Sequence, residues 1–476
     1  MQNFYVKDII EATGGRLLCG NADTPVNMIS TNSKEIGEGC LFVPVIGERV
    51  DAHRFIEDAV AAGAVAVLTS EHDSLDLNAA CIKVDNTIKA MQEIGSAYGR
   101  RMNIPKIGIT GSVGKTTTKE MVACALSAGF RVFKTSGNNN SQIGVPNTLS
   151  KISPDDEIAV IEMGMSMPGE MKRLAELVDL DAAIVTNIGV SHIEQLGSQD
   201  GICKEKFHIS DALGSDGMMF LNGDDEILKK HMHELKCRIT LFGINDNNDY
   251  RAVNIKAGAQ TEFDVMNNNE ILCHVCLNVP GMHNVRNALA AIAVAVRYGI
   301  AADKAAEAFS GYGGVEMRQQ IIHHNGITII DDSYNASPDS MKAGIDVLCT
   351  IGKSRKIAVL ADMLELGDKS PQYHAEVGAF MAGHNVDELI TYGELSINID
   401  KAAECNKSLK IRHFDTREEV DEYLDSDLKE GDTVLFKGSR GMKLNLCVDN
   451  ICYKYYTGGS YGTDNRWKSN IQTDKG

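Results

Sequence analysis

The stretch Thr110-Gly111-Ser112-Val113-Gly114-Lys115-Thr116 decides the fold of this 476-residue chain. It follows the apolar run 106–109 and precedes a helical pattern that begins near Thr117. A glycine-rich turn between a strand and a helix exposes backbone N–H groups at the positive end of the helix dipole, where phosphate oxygens bind. Lys115 adds a charge for the outer phosphates, and the Thr116 hydroxyl can ligate magnesium. The stretch therefore predicts a nucleoside triphosphate site, although Ile109 replaces the first glycine of the usual motif.

Strands and helices alternate beyond this loop, and the runs 158–161 and 182–185 are continuously apolar. Such runs are typical of a parallel sheet that is buried on both faces. A second series of apolar runs begins near residue 327, after a pause at 312–314. With a length that suits about three domains, we predict an α/β fold of three domains. These are a mixed α/β N-terminal domain (1–104), a central P-loop ATPase-like domain with a mostly parallel sheet (105–314) and a C-terminal Rossmann-like domain (315–452). A polar tail (453–476) follows them.

Two connecting segments complete this division. Residues 97–105 are basic and end at Pro105, which indicates a linker ahead of the phosphate loop. From Tyr453 the chain is polar and has no apolar period, so we expect the tail to be exposed or disordered.

Composition excludes several classes of protein. Asp and Glu outnumber Lys and Arg by 65 to 47, which disfavours a general nucleic-acid binder, because such proteins need cations against phosphates. No run of about 18 apolar residues is present, and the first residues lack a basic stretch followed by an apolar core. We therefore expect a cytoplasmic protein with no membrane span, and we expect a monomer.

The twelve cysteines are scattered, as is usual for reduced thiols in a large chain. Cys273 and Cys276 have the spacing of a zinc-binding pair, but no second pair is available to complete a tetrahedral site. The segment alternates apolar and polar residues, so we predict a strand there.

Three further residues lie where a parallel sheet places its ligands. Glu162 ends the apolar run 158–161, and His192 lies in the loop after the run 182–185. Each has an ordinary alternative, a solvated charge for Glu162 and a structural histidine for His192. Lys206, taken alone, has the pattern of a surface charge on a helix.

The order and spacing of the motifs resemble the Mur ligase family, ATP-dependent enzymes that join an amino acid or peptide to a carboxylate. The resemblance covers about residues 30 to 450 and rests on the phosphate loop, Glu162, His192 and Lys206. It also rests on four longer stretches, at 137–146, 331–341, 362–367 and 437–442. Those stretches are most similar to the members that add D-Ala-D-Ala to a UDP-N-acetylmuramoyl-tripeptide during peptidoglycan precursor synthesis.

The resemblance implies a set of ATP contacts. Arg318 and Asp332 would reach the γ-phosphate and the ribose when the C-terminal domain closes, and Asn284 and Asn287 would lie on the adenine side. Asn284 could equally cap its helix. The implied ATP site comprises Thr110, Gly111, Ser112, Val113, Gly114, Lys115, Thr116, Thr117, Asn284, Asn287, Arg318 and Asp332.

The resemblance also implies two magnesium ions. Thr116 and Glu162 would bind the first ion, and His192 the second, aided by Lys206 if its amine is carbamylated. A bare ammonium would repel the metal, so the modification makes physical sense. Lys115, Lys206, His192 and Arg318 would then be the catalytic residues.

Two groups of residues are implied for the substrates. For the UDP-linked tripeptide they are Thr31, Ser33, Gly47, Arg49, Asp51, His53, Asn138 and Asn140. For the dipeptide they are Asn335, Ser439 and Arg440, together with Asp362 and Glu365 in loops at the ends of strands. At positions 32–34 this chain has Asn-Ser-Lys, where members of the family usually have an acidic residue, then Ser or Thr, then Arg. The guanidinium group, which can bind an anion through two nitrogen atoms, is therefore absent there. For Asn335, Ser439 and Arg440, a purely structural role in their loops remains equally open.

The implied reaction proceeds in two steps. The tripeptide carboxylate attacks the γ-phosphate of ATP to give an acyl phosphate and ADP, and the dipeptide amine then displaces phosphate. The alternatives are family members that add one amino acid or extend folate with glutamate, and a regulatory protein that binds ATP without turnover. The stretches at 137–146 and 437–442 disfavour the first alternative, and the retained Lys115, Glu162, His192 and Lys206 disfavour the second.

Overall fold

Three sheets, one after another along the chain, organise the protein. The computed structural model describes residues 1–47 and 50–457. The first sheet has five strands in the order β1-β5-β4-β3-β2, and only its β1–β5 pair is antiparallel. Its elements are α1 (Val6–Thr13), β1 (Arg16–Cys19), β2 (Met28–Ser30), β3 (Cys40–Phe42), α2 (Ile56–Ala61), β4 (Ala66–Thr69), β5 (Ala80–Lys83) and α3 (Thr87–Arg101).

Helix α3 runs through the segment that we predicted as a linker, so that prediction is wrong for residues 97–101. Arg100 and Arg101 gave the segment its basic character, but Tyr98 and Gly99 are buried on the opposite side of the helix. At Gly95 a Cβ atom would come within 2.6 Å of the Pro146 carbonyl oxygen. The absent side chain therefore lets α3 pack closely on the central domain.

The central sheet has nine strands in the order β14-β13-β12-β11-β10-β9-β6-β8-β7. It is parallel from β7 to β12 and antiparallel at the β12–β13 and β13–β14 edge. Its strands are β6 (Lys106–Thr110), β7 (Val132–Lys134), β8 (Ile158–Glu162), β9 (Leu180–Val185), β10 (Leu213–Asn222), β11 (Arg238–Gly243), β12 (Tyr250–Lys256), β13 (Thr261–Asn267) and β14 (Glu270–Leu277).

Helices cover both faces of this sheet and form two separate apolar cores. The longest, α10, carries an almost continuous buried surface of Ala, Val, Leu and Ile that packs against α4. The helices are α4 (Lys115–Leu126), α5 (Gly144–Leu149), α6 (Glu170–Leu177), α7 (Ile193–Leu196), α8 (Gln199–Phe207), α9 (Glu226–His231), α10 (Met282–Arg297) and α11 (Ala302–Ala308).

The predicted strand around the two neighbouring cysteines is confirmed as β14. Cys273 is buried and Cys276 is exposed, because residues an odd number apart in a strand face opposite sides of the sheet. The two thiols therefore do not converge on one position.

The C-terminal sheet has six strands in the order β15-β16-β20-β17-β18-β19, and only β15 is antiparallel. Its strands are β15 (Gln320–His324), β16 (Ile327–Asp331), β17 (Lys356–Ala361), β18 (Glu388–Tyr392), β19 (Lys410–Phe414) and β20 (Thr433–Lys437). Its helices are α12 (Pro338–Ile351), α13 (Ser370–Ala382), α14 (Ile397–Ala403), α15 (Arg417–Asp427) and α16 (Asn445–Thr457).

The last helix extends into the predicted tail. Helix α16 ends at Thr457, so residues 453–457 are helical where we expected an irregular polar segment. The remainder of the predicted tail, 458–476, lies outside the described residues. Among the helices that the structure describes, none is long and apolar enough to cross a bilayer.

Candidate active site

A cavity of about 930 Å³ lies where the central domain meets the C-terminal domain. Its central-domain wall is formed by the loops that follow β6, β8 and β9, and by the first turn of α10. The opposite wall is formed by the segment before β15, the loop after β16 and the end of β20. Ligands of open α/β sheets bind at such carboxyl ends of strands.

The phosphate loop begins where β6 ends, as the sequence predicted. Gly111 and Gly114 have φ values of 149° and 85°, which favour glycine, and a Cβ at Gly111 would lie 1.9 Å from the Thr186 hydroxyl. Asn187 fixes the loop from the end of β9: its carbonyl accepts from Ser112 N at 3.0 Å and its side chain from Val113 N at 2.8 Å. The loop is therefore held in shape by the neighbouring strand.

Glu162 lies at the end of β8 with its side chain fully buried. Its Oε1 accepts hydrogen bonds from Thr116 Oγ1 at 3.2 Å and Asn140 Nδ2 at 2.7 Å. Its Oε2 has no hydrogen-bond partner, and Lys119 Nζ lies 3.6 Å away. A buried carboxylate oxygen without a partner, beside a threonine hydroxyl, is a suitable ligand pair for a magnesium ion that also binds phosphate oxygens.

Two cations from different domains face the cavity. Lys115, the first residue of α4, donates from Nζ to the Gly111 carbonyl at 2.9 Å. Arg318, from the C-terminal domain, stacks over the ring of Tyr334 at 4.2 Å. Burial lowers the pKa of Lys115, and the Arg318 charge lowers it further, whereas Glu162 opposes the change. The two positive charges therefore act on one another across the cavity.

His192 and Lys206 form a second group beside the phosphate loop. Lys206 is only 2% exposed, and its Nζ makes no hydrogen bond or ion pair with the described residues, although its helical pattern alone suggests a surface charge. Burial, together with the nearby charge of Lys115, lowers the pKa of Lys206 well below its usual value. Burial also lowers the pKa of His192, whose Nδ1 lies 2.8 Å from Glu365 Oε2 of the C-terminal domain.

The side chains suit the first predicted magnesium ion better than the second. Within the described ranges, no three His, Cys, Asp or Glu side chains gather as a metal cluster. The first ion would instead take Thr116, Glu162 and phosphate oxygens, a set that suits magnesium. The second would need an anion from Lys206, and burial, which lowers the pKa of this lysine well below its usual value, favours the neutral amine from which a carbamate forms.

The residues that we predicted to contact the nucleoside are buried amides and a carboxylate in a buried ion pair. Asn284 Nδ2 donates to the Pro280 carbonyl at 2.7 Å, and Asn287 Oδ1 accepts from Thr118 at 3.0 Å. Lys437 Nζ lies 2.7 Å from Asp332 Oδ2, with side chains 2% and 10% exposed. Burial raises the pKa of Asp332, and the Lys437 charge opposes this change.

Of the other predicted substrate-binding residues, some line the cavity and others lie beside it. Asn138, Asn140 and Asn335 line the cavity, whereas Ser439 and Arg440 lie in the loop after β20, next to it. Ser439 accepts from the Leu364 backbone N–H at 2.9 Å and Arg440 lies 5.7 Å from the Tyr334 ring.

The residues predicted to bind the nucleotide sugar in the N-terminal domain do not line this cavity. Arg49 lies outside the described residues, and Thr31, Ser33 and Gly47 are in loops after β2 and β3. His53 is buried, with Nδ1 2.7 Å from Asp51 and Nε2 accepting from the Ser70 backbone at 3.1 Å. Both ring nitrogens are thus used within the protein, and the role of this group in substrate binding stays a prediction.

Sequence reasoning missed several residues that shape the site. Asn187 supports the phosphate loop, and Lys119 approaches Glu162. Glu365 was predicted only as part of the dipeptide pocket, and its contact with His192 was missed. Asp224 and Arg286 pair at 2.8 Å on the cavity wall. The sequence signal for Asn187 was its position directly after β9, at the same sheet edge as Glu162.

Three family models match the chain in succession. They are the Mur ligase family catalytic domain over residues 25–107, the Mur ligase middle domain over 109–295, and the Mur ligase glutamate ligase domain over 317–440. Together they span all three sheets.

Curated relatives and solved structures are similar over nearly the whole length. A UDP-N-acetylmuramoyl-tripeptide--D-alanyl-D-alanine ligase of Bacillus subtilis is 38% identical over 452 residues, which cover 94% of this chain and 98% of the relative. One of Escherichia coli is 33% identical, covering 90% and 94%. MurF from Acinetobacter baumannii superposes with a TM-score of 0.86 at 28% identity, covering 95% and 99%. MurF ligase from Thermotoga maritima, in complex with ADP, gives 0.81 at 26%, covering 92% and 99%.

Proposed function

Because this chain belongs to the Mur ligase family, we propose that it joins D-Ala-D-Ala to a UDP-N-acetylmuramoyl-tripeptide and consumes ATP in peptidoglycan precursor synthesis. One observation carries the proposal: similarity to a relative named for this activity extends over 94% of the chain. Further support comes from the cavity between the domains, which is lined by ten of the twelve residues that the family resemblance assigns to ATP.

The first step is transfer of the γ-phosphoryl group to the tripeptide carboxylate. The carboxylate oxygen forms a bond to phosphorus while the bond to ADP breaks, so two anions must approach each other. Lys115 from one wall and Arg318 from the other offset this repulsion. Backbone N–H groups of the phosphate loop hold the nucleotide in line.

The second step forms the peptide bond. The dipeptide amine attacks the acyl carbon, the carbon–oxygen bond to phosphate breaks, and the nitrogen loses a proton. Because an acyl phosphate would be hydrolysed by water, closure of the two opposed domain walls around it would protect this intermediate. Asn335, Ser439 and Arg440 are the dipeptide contacts in this proposal, with Arg440 supplying a cation for the terminal carboxylate.

The proposal includes two magnesium ions, because the site contains side chains that could hold them. When bound, magnesium would neutralise phosphate charge and orient the transferred group. Thr116 and Glu162 would hold the first ion, and His192 with carbamylated Lys206 the second. Support for the modification comes from the burial of Lys206 and from its lack of any partner among the described residues.

The N-terminal domain would hold the uridine diphosphate part of the substrate, through Thr31, Ser33, Gly47, Arg49, Asp51 and His53. Asn138 and Asn140, which line the cavity, would contact the tripeptide end. We propose that the enzyme acts as a monomer, because both walls of the cavity come from one chain. Its use of ATP supports a cytoplasmic location in this proposal.

The test is a reconstitution with defined substrates. The protein is incubated with ATP, magnesium, D-Ala-D-Ala and a UDP-N-acetylmuramoyl-tripeptide carrying either lysine or a diamino acid at the third position. We expect phosphate release that requires both the tripeptide and the dipeptide, and a product whose mass equals their sum less water. Equal turnover with a single amino acid in place of the dipeptide would assign the chain to another branch of the family. Nucleotide binding without product would indicate a regulatory protein.

A further inference from the structure

His192 and Glu365 meet across the boundary between the central and C-terminal domains. The distance between His192 Nδ1 and Glu365 Oε2 is 2.8 Å, although the contact does not meet the angle of a hydrogen bond. His192 has a φ of 63° and Glu365 a φ of 64°. Residues other than glycine rarely adopt this conformation, which costs about 1 kcal/mol or more at each position. Two such backbones facing each other indicate that the surrounding structure holds both side chains in place.

The loop that carries Glu365 packs on the helix that His192 begins. A Cβ at Gly367 would lie 3.4 Å from Glu194 Cβ on α7, and His192 is the residue before α7. The short helical turn at residues 367–369 contacts α7. Glu365 therefore reaches His192 only while this part of the C-terminal domain is docked on the central domain.

The charges around His192 differ between the two domains. Lys115 of the central domain places a positive charge near the imidazole, whereas Glu365 of the C-terminal domain places a negative charge there. A carboxylate in this position favours a proton on Nδ1. The other ring nitrogen, Nε2, is then left with its lone pair available to a cation.

We propose that Glu365 is a positioning residue for His192, which it orients as a ligand of the second divalent ion when the C-terminal domain docks. Histidines that bind metals usually donate their second nitrogen to a carboxylate or carbonyl, which fixes the tautomer and the ring orientation. The inference rests on the proposed function through the assignment of His192 as a metal ligand. It adds that the acidic partner comes from the other domain.

A coupling between domain docking and metal affinity follows. If docking brings Glu365 to His192 and thereby strengthens binding of the second ion, that ion must favour the docked arrangement by the same factor. The second metal site would then be complete only in the arrangement that also brings Arg318 to the phosphates.

The experiment titrates Mn²⁺, as a paramagnetic substitute for Mg²⁺, into the full-length protein with a non-hydrolysable ATP analogue. Electron paramagnetic resonance of free Mn²⁺ gives the number and affinity of bound ions. Wild type is compared with Glu365→Gln and with Asp368→Asn, which removes one exposed charge three residues further along the same loop. We expect Glu365→Gln to weaken the second ion by 10- to 100-fold with the first unchanged, and Asp368→Asn to leave both unchanged.

A double-variant cycle shows whether Glu365 acts through His192. If it does, adding Glu365→Gln to a His192→Ala protein causes no further loss in affinity for the second ion. Turnover of Glu365→Gln is expected to recover as Mg²⁺ is raised, because a positioning residue changes metal affinity rather than the chemistry.

Three results would overturn the inference: unchanged affinity for both ions in Glu365→Gln, an equal loss in Asp368→Asn, or only one bound ion in wild type. Failure of the proposed function has a different signature. If the protein binds two ions, loses affinity for the second ion in Glu365→Gln, and yet forms no amide product, that result would contradict the proposed ligase function and leave the inference about Glu365 intact.

Discussion

Replacing Lys115 with alanine is the most direct test of how the cavity handles charge. Lys115 begins α4, and its Nζ curves back over the phosphate loop to the Gly111 carbonyl at 2.9 Å. From this position a rotation of the side chain would bring the ammonium group into contact with a phosphate oxygen of the bound nucleotide. The substitution removes the positive charge and keeps the backbone N–H groups of the loop, so it isolates the contribution of the charge.

The expected magnitude follows from Coulomb's law. A unit charge about 4 Å from a phosphate oxygen contributes about 4 kcal/mol at an effective dielectric constant of about 20, which suits a partly buried site. Because about 1.4 kcal/mol corresponds to a factor of ten in rate, we expect kcat/KM to fall by about three orders of magnitude. Arg318 stays on the opposite wall and prevents a complete loss of catalysis.

The assay measures phosphate release with saturating tripeptide and dipeptide, and calorimetry measures ADP binding. Lys151→Ala, which removes an exposed lysine of the same domain, serves as the matched control and should retain full turnover. The melting temperature of both variants should stay near that of wild type, because Lys115 forms no ion pair within the described residues. A decrease of less than tenfold in kcat/KM for Lys115→Ala would refute the assigned role of this charge.

Three further predictions concern stability. Lys437→Met leaves the buried Asp332 carboxylate without its ion partner, so urea denaturation should show a loss of about 3–5 kcal/mol, and a loss below 1 kcal/mol would contradict this. Gly95→Ala forces a Cβ against the backbone of α5 and should lower stability by about 1–3 kcal/mol. At Gly99 the added Cβ would meet the Leu149 side chain at 3.2 Å rather than a backbone atom, and the substitution gains helix propensity. Gly99→Ala should therefore destabilise the protein less than Gly95→Ala in the same assay, and an equal loss in both variants would contradict this reasoning. Burial lowers the pKa of His283 to about 4, below its unfolded value near 6.5, so the unfolded chain binds the extra proton and the melting temperature should fall as pH drops from 6.5 to 4. His283→Gln should make that fall shallower, and an unchanged profile would show that another group is responsible.

The sequence predicted the sheets best where strands are buried on both faces. The runs 158–161 and 182–185 became β8 and β9, because a strand covered by helices on both sides has no polar face to obscure its pattern. Strand β19 was missed, since it lies at the sheet edge and alternates charged, exposed residues with partly buried ones. The end of α3 was mistaken for a linker because Arg100 and Arg101 conceal the buried side that includes Tyr98.

A site residue could be predicted from the sequence where the recognisable motif and the functional side chain lie in the same element. Thr116 follows a glycine-rich loop and Glu162 ends a buried strand, so topology alone brings them to one sheet edge, where their side chains lie 3.2 Å apart. The contact between His192 and Glu365 was not predictable, because it depends on how two domains dock. Lys206 was identified only through the family resemblance, since its neighbours Lys204 and Glu205 give its helix the charge pattern of a surface.

The positive charges of Lys115 and Arg318, on opposed walls of the cavity, explain why the site is divided between domains. Lys115 and Arg318 repel each other when the walls are close, and this repulsion contributes to the lowered pKa of Lys115. An anion between them replaces that repulsion with two attractions, so bound triphosphate must favour the close arrangement over an open one. The same charges would stabilise the phosphoryl group during transfer, when negative charge from the attacking carboxylate joins it. Nucleotide binding, domain closure and catalysis therefore draw on one electrostatic interaction, and a variant that weakens it should impair all three together.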